Sequence, residues 1–278
     1  MKGRIDFKVL VNVNEANPNG DPLGGNLPRT TLSGLGYMSD ESVKRKIRNR
    51  LQDMGQRILI QTNDRSDDGF FSIKSRLEAV EGYKEAAKDQ VKAVDLVCKN
   101  FADVRAFGAV IALKGGISIG VRGPVTIQNE SKTVEPVYIN QQQITKSTSS
   151  EKEDGKGSDT MGTKAFVEHG LYVINGSINA RLAKKTGLSD EDISKIKEAL
   201  RTLFVNDESA ARPAGSIEVV KVYWWEHDSI DGKYSPSKVF DSVLVKKKEG
   251  VEIPHSIDDY QIDVKELEGL SVQVVEGF

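Results

Sequence analysis

Apolar and polar positions alternate at the start of the chain: Ile5, Phe7, Val9, Val11 and Val13 are interleaved with Asp6, Lys8 and Asn12, broken only by Leu10. This period of two predicts a strand over 5–13 with one buried face. Farther on, Val43, Ile47, Leu51, Met54 and Ile58 recur at spacings of three and four behind a cap at Ser39 or Asp40. They predict an amphipathic helix over 41–60. Leu77, Val80, Tyr83, Ala87, Val91, Val94 and Val97 predict a second helical region over 75–100, weakened in its middle by Gly82. The apolar run from Arg105 to Leu113, bounded by Lys114-Gly115-Gly116, predicts a buried strand. Another strand is expected over 170–178, where Leu171, Val173 and Ile174 lie between Gly170 and Gly176. Ser189 caps a helix over 189–204, with acids in its first turn and an apolar face of Ile193, Ile196, Leu200, Leu203 and Phe204. SIEVVKVYWW, from Ser216 to Trp225, is β-branched and aromatic and predicts a strand over 217–225. Its aromatics beside Lys221 suit either a core on both faces or the stacking of bases.

The resulting order is β-α-β-β-α-β, the pattern of a ferredoxin-like, RNA-recognition-motif core. The expectation is therefore an α+β fold, one domain over 1–278, with a helical insertion at about 61–100 and a long polar one at about 114–165. Arg105, Phe107, Gly108 and Val110 fit the signature of a central strand in such domains, whereas Ala106, Ala109 and Ala112 do not. The fold is suggested without base stacking on that strand. The segment KSTSSEKEDGKGSDTMG, Lys146 to Gly162, cannot build a core.

Composition narrows the setting. Cys98 is the only cysteine, so no intramolecular disulfide forms, a cytoplasmic location is expected, and the thiol is read as a small core side chain. Met1 to Arg4 is basic, but Asp6 and Lys8 interrupt the short apolar stretch behind it. Neither a secretion signal nor a membrane span is expected. The net charge of −2 conceals an asymmetry: residues 249–278 hold eight acids and one base, −7, which leaves +5 on residues 1–248. The acidic segment is either a solvated tail or a docking patch. On the first helix Lys44, Arg45, Lys46, Arg48 and Arg50 precede the next acid, Asp53. That run is either a solvated face or a site whose counter-charge arrives from outside, with phosphate the obvious source.

Active-site patterns are missing. His169, His227 and His255 share no zinc or triad spacing, and neither GxGxxG nor GxxxxGK[ST] occurs. Glu151, Glu153, Asp154 and Asp159 match no metal-binding loop. Asp21 and Asp103 could accept a proton or hold Mg²⁺, but turn chemistry or an ion pair with a nearby Arg explains each better. No cofactor, metal or catalytic residue is expected. The loop Asn17-Pro18-Asn19-Gly20-Asp21-Pro22, running on through two more glycines to Arg29, exposes backbone at the end of a buried strand.

NANPNGDP after the opening strand, DVRAFGAV at 103–110, GPV at 123–125 and DESAARPAG at 207–215, in that order, resemble the backbone subunit of CRISPR Cascade complexes, type I-C branch. The resemblance covers most of the chain. It implies a ferredoxin-like core with a thumb-like insertion and a non-catalytic subunit that stacks head-to-tail along one CRISPR RNA in antiviral defence. The implied partners are the CRISPR RNA, target DNA through guide pairing, further copies of the chain and other Cascade subunits. The alternative is a metal-dependent RNA endonuclease, since related subunits carry a cleaving Asp in a loop. The expected RNA contacts are Asn17, Asn19, Gly20, Arg29, Lys44, Arg45, Arg48, Arg105, Lys164 and Arg212, with Lys46 and Arg50 less central. Residues 138–164 are expected to be a protrusion that orders on RNA or on a neighbouring copy.

Overall fold

The computed structural model describes residues 1–66, 68–112, 118–152 and 155–278, with side chains left out over 146–152 and 155–160. β1 (Ile5–Ala16) runs through the middle of the main sheet, and Ile5 to Val13 are buried without interruption. The sequence predicted one buried face. The second face is covered too, because Leu10 enters a separate core built with Tyr223, Trp225, Val239 and Tyr260 from C-terminal elements. Asp6 and Lys8 are consequently buried as well.

Two-residue strands β2 (Gly20–Asp21) and β3 (Leu27–Pro28) pair inside the loop after β1, and β4 (Leu35–Ser39) leads into helix α1 (Asp40–Asp53). α1 stops earlier than its apolar spacing predicts, because Gly55 takes a left-handed φ of 75° just past its end. Ile58 still reaches the main core from the following turn.

The predicted helix over 75–100 is three pieces: α2 (Ile73–Glu78), α3 (Tyr83–Ala86) and α4 (Gln90–Asn100). Gly82, at φ 77°, breaks the first from the second. Leu77, Val97, Cys98 and Phe101 pack a second core that the insertion carries for itself.

The predicted strand 105–113 is corrected. Its first half is the end of α5 (Ala102–Phe107), and only β5 (Gly108–Ile111) is extended. β5 pairs with β6 (Ile119–Arg122) in a small sheet apart from the main one. The switch occurs at Gly108, with φ 74° and ψ 178°, where a Cβ would lie 2.2 Å from the Val121 carbonyl oxygen. Only glycine occupies that conformation readily. Leu113 to Gly116 lie outside the described residues.

The place beside β10 (Gly155–Ile178) is taken by β7 (Val125–Ile127) and β8 (Glu130–Pro136). β9 (Ile139–Lys152) pairs with the first half of β10, so the polar segment forms a two-stranded ribbon. Polar composition denies a ribbon a core, but backbone pairing needs none. Two helices follow, α6 (Ala180–Thr186) and α7 (Asp190–Arg201), the latter closed by the predicted Ser189 cap. β11 (Ile217–Glu226) is core on both faces, Val222 and Trp224 on one and Tyr223 and Trp225 on the other, which leaves no aromatic free to stack a base.

The chain ends in α8 (Pro236–Phe240), β12 (Val243–Lys247), β13 (Tyr260–Val264) and β14 (Val272–Glu276). The main sheet reads β14-β11-β1-β10-β8-β4, antiparallel at every step. α1 and α7 cover one face of it. No helix among the described residues is long and apolar enough to cross a membrane.

Candidate nucleic-acid interface

The basic run on α1 is neutralised mostly from within. Lys44 pairs with Asp40 one turn earlier at 2.6 Å, and Arg50 with Asp53 at 2.6 Å. Lys46 is buried, its Nζ 2.5 Å from Asp207 and over the ring of Phe204. Arg48 donates to Asp103 at 3.2 Å and lies over the ring of Phe107. Outside counter-charge is therefore not needed for these four. Distant residues supply it for two of them, so the sequence around α1 carries no sign of it.

Arg45 differs. It donates from Nη1 to the Ile60 carbonyl oxygen at 2.6 Å and has no carboxylate at ion-pairing distance among the described residues. Burial, with Arg48 close by, pulls its guanidinium below the ordinary arginine range. A partly desolvated cation without a paired anion is costly unless an anion joins it.

Three separate stretches converge around Arg45. The loop after β1 is held down at Asn17, whose amide donates to the Asn26 carbonyl oxygen and whose backbone N–H donates to that of Ala211, both at 2.8 Å. Asn19 Oδ1 accepts from the Ser39 N–H at 2.9 Å, which ties the same loop to the cap of α1. Gly20 is pressed against Asn26, where an added Cβ would lie 2.0 Å from Oδ1. Asp21 accepts from the Leu23 N–H at 3.2 Å and faces Arg29 at 3.4 Å, the turn chemistry and ion pair expected of it. The Nε of Arg29 is buried and unpartnered. From the third stretch, Arg212 joins Lys46 on Asp207 at 2.8 Å.

Between them lies a cleft of about 390 Å³ whose walls include Asn19, Gly20, Arg45, Lys46, Asp207 and Arg212. Arg65 also lines it, paired with Asp53 at 2.7 Å, and so does Asn49. Neither stood out in the sequence: Arg65 sits in a polar loop like its neighbours, and Asn49 lies within the charge run.

Other expected contacts lie elsewhere. Arg105 grips Asp192 through two nitrogens, at 2.7 and 3.1 Å, and lines a different cleft. Lys164 stands at the root of the ribbon opposite Gln142. Asp103 is fully buried, accepting from the Leu59 N–H at 2.9 Å, the Ile60 N–H at 3.1 Å and Arg48. Among the described residues no three His, Cys, Asp or Glu side chains gather as metal ligands. The side chains of Glu151, Glu153, Asp154 and Asp159 lie outside the described residues.

A solved chain from a complex described as "CRISPR RNA-guided surveillance complex, pre-nicking" superposes with a TM-score of 0.54 at 16% identity, covering 90% of this chain and 84% of that one. It shares the fold. A protein of Haloferax volcanii named "CRISPR-associated protein Cas7" is 26% identical over 212 residues, 69% of this chain. The match spans 62% of that relative's length. The family described as "CRISPR-associated protein Cas7" matches residues 3–265, nearly the whole sequence, and the chain belongs to that family.

Proposed function

We propose that this chain is a non-catalytic backbone subunit that binds CRISPR RNA in a type I-C Cascade effector, works in the cytoplasm, and presents the guide for pairing with target DNA. The observation that carries this is Arg45: a partly buried guanidinium with no directly paired carboxylate among the described residues, Asp64 and Asp103 acting on it only from farther off, on the wall of a cleft where three recognised sequence stretches meet. An RNA phosphate would supply the close counter-charge that the more distant Asp64 and Asp103 do not. Arg212, held with the buried Lys46 on Asp207, lines the same cleft.

Family membership supports assembly on RNA. A single strand has direction and no two-fold axis, so identical subunits along it meet through heterologous contacts, head to tail. The β9–β10 ribbon supplies the thumb-like insertion, and Lys164 at its root a second basic contact. The antiparallel order β11-β1-β10 with β7 and β8 beyond supports a ferredoxin-like core, with β7 and β8 in the place expected for 105–113. Engagement of both Asp21 and Asp103 in structural hydrogen bonds favours the binding role over nuclease chemistry.

Sequencing the RNA that copurifies with the full chain tests the assignment: repeat-derived flanks around variable spacers are expected, and random cellular RNA would overturn it. Arg45→Ala should reduce the slope of log K against log salt by about 0.7 on single-stranded RNA, the value for one phosphate no longer neutralised. An unchanged slope would remove phosphate from this cleft.

A further inference from the structure

The main sheet ends in two edge strands, and the chain treats them differently. β4 is covered by the loop before it: the Tyr37 N–H donates to the Arg29 carbonyl oxygen at 3.0 Å and the Thr31 N–H to that of Leu35 at 2.9 Å. β14 has β11 on one side and no backbone partner on the other among the described residues. We propose that the open edge of β14 is a docking site for another protein, which adds an extended, basic segment to the sheet and sets an apolar side chain in the neighbouring pocket beside Trp225.

The register decides which groups are free. The Gly277 N–H donates to the Val220 carbonyl oxygen at 3.0 Å, and hydrogen-bonded pairs in an antiparallel ladder recur at every second residue, so Val275 and Gln273 also turn their backbone to β11. Val272, Val274 and Glu276 turn theirs outward. Natural edges are blunted by proline, lysine or a bulge, and β14 has none of these; its middle residue, Val274, is 44% exposed. Next to Val272 lies a pocket of about 560 Å³ walled by Trp225, Leu267 and Leu270. The indole N–H of Trp224 donates to Glu226 at 2.8 Å, whereas that of Trp225 has no acceptor among the described residues. An apolar wall with one spare donor suits a peptide, which brings a side chain and a carbonyl oxygen together.

Charge selects the occupant. Residues 249–278 carry −7, and of their acids only Asp263 and Glu276 reach a base among the described residues. Glu266 and Glu268 line the pocket unpaired, with Lys265 beside them. Pairing β14 with the β14 of another copy would bring two such segments together, which like charges oppose. A segment that ends in lysine or arginine is favoured instead. The site is on the face of the sheet away from α1, so it does not depend on the reading of Arg45.

The test titrates the RNA-free full chain into a fluorescent peptide, KKTVTVTKK, and follows anisotropy. Two changes to the peptide leave the protein untouched: methylation of its backbone nitrogens, and glutamate in place of each lysine. Each should weaken binding by about tenfold or more, the first by removing ladder hydrogen bonds and the second by reversing the charge. In the protein, Val274→Pro removes the central outward N–H without taking a bond from β11 and should weaken binding as much, while Val274→Thr keeps the N–H and should bind within about twofold of the parent. Arg45→Ala should bind the peptide unchanged, so failure of this site and failure of the phosphate cleft are seen separately. No saturable binding, equal binding of the methylated or the glutamate peptide, or full affinity in Val274→Pro would overturn the proposal. So would a Val274→Pro variant whose only defect is weaker self-association of the RNA-free chain, since the edge would then belong to a second copy.

Discussion

Asp103 is the residue whose removal has the most direct structural consequence. It is fully buried and accepts three hydrogen bonds, from Leu59, Ile60 and Arg48, joining the insertion's core to α1. In Asp103→Ala the Arg48 guanidinium, 11% exposed, keeps its burial and loses its anion, while two backbone N–H groups lose their acceptor. Breaking a buried pair from one side costs about 3–5 kcal/mol, a figure that already includes the stranded charge. At an unfolding entropy of about 2.1 cal/mol/K per residue, a chain of 278 residues loses about 0.6 kcal/mol per degree, so the melting temperature should fall by about 5–9 °C. Differential scanning calorimetry reads that directly. Arg48→Ala with Asp103→Ala should be less damaging than the two single losses added together, by about 1 kcal/mol or more. A fall under about 2 °C, or strict additivity in the cycle, would mean that this network is not holding the two units together.

Other outcomes follow from single side chains. Lys8 donates to the carbonyl oxygens of Phe240 and Val243, and burial pulls its pKa from 10.5 to about 8. The unfolded chain therefore binds the extra proton between those values, so the Lys8 contribution to stability rises with pH across that window, by about 3 kcal/mol in all. Lys8→Met should abolish the rise, and chemical denaturation giving parallel pH curves for both proteins would refute it. Burial pushes the Cys98 thiol up to about 11, so alkylation of folded protein near neutral pH should follow the unfolding rate and not thiol exposure; rapid stoichiometric labelling without denaturant would contradict this. Gly108→Ala forces a side chain into a glycine-only conformation against the Val121 carbonyl and should cost about 2 kcal/mol or more, read as a melting temperature lower by at least about 3 °C.

Local rules read the elements that local rules build. The alternation in β1, the Ser189 cap of α7 and the β-branched run of β11 all reflect a period or a first-turn hydrogen bond, and each appears where the sequence places it. The run 105–113 failed because its apolar content is equally compatible with a short buried helix, and the deciding residue, Gly108, acts through a contact with Val121 on the strand that pairs with it. The continuous burial of β1 depends on chain more than two hundred residues later. At the candidate interface, the loop after β1 and Arg45 were legible from composition and charge. Lys46 and Arg48 changed meaning, because their partners Asp207 and Asp103 are brought in by the fold. Arg65 had no distinguishing pattern at all.

β10 gives the ribbon and the centre of the sheet one backbone. Its 24 residues extend about 80 Å, starting in the two-stranded projection and ending against β1, where Ile174 faces Val9. A strand of that kind is a lever without a joint at its base. The irregularities in its pairing, between Lys156 and Asp159 and between Thr160 and Gly162, lie in the outer part, where slack can be taken up. Load applied to the projection is delivered along the chain to the buried pairing of β10 with β1, so a contact made far out on the ribbon would act on the geometry of the sheet's centre.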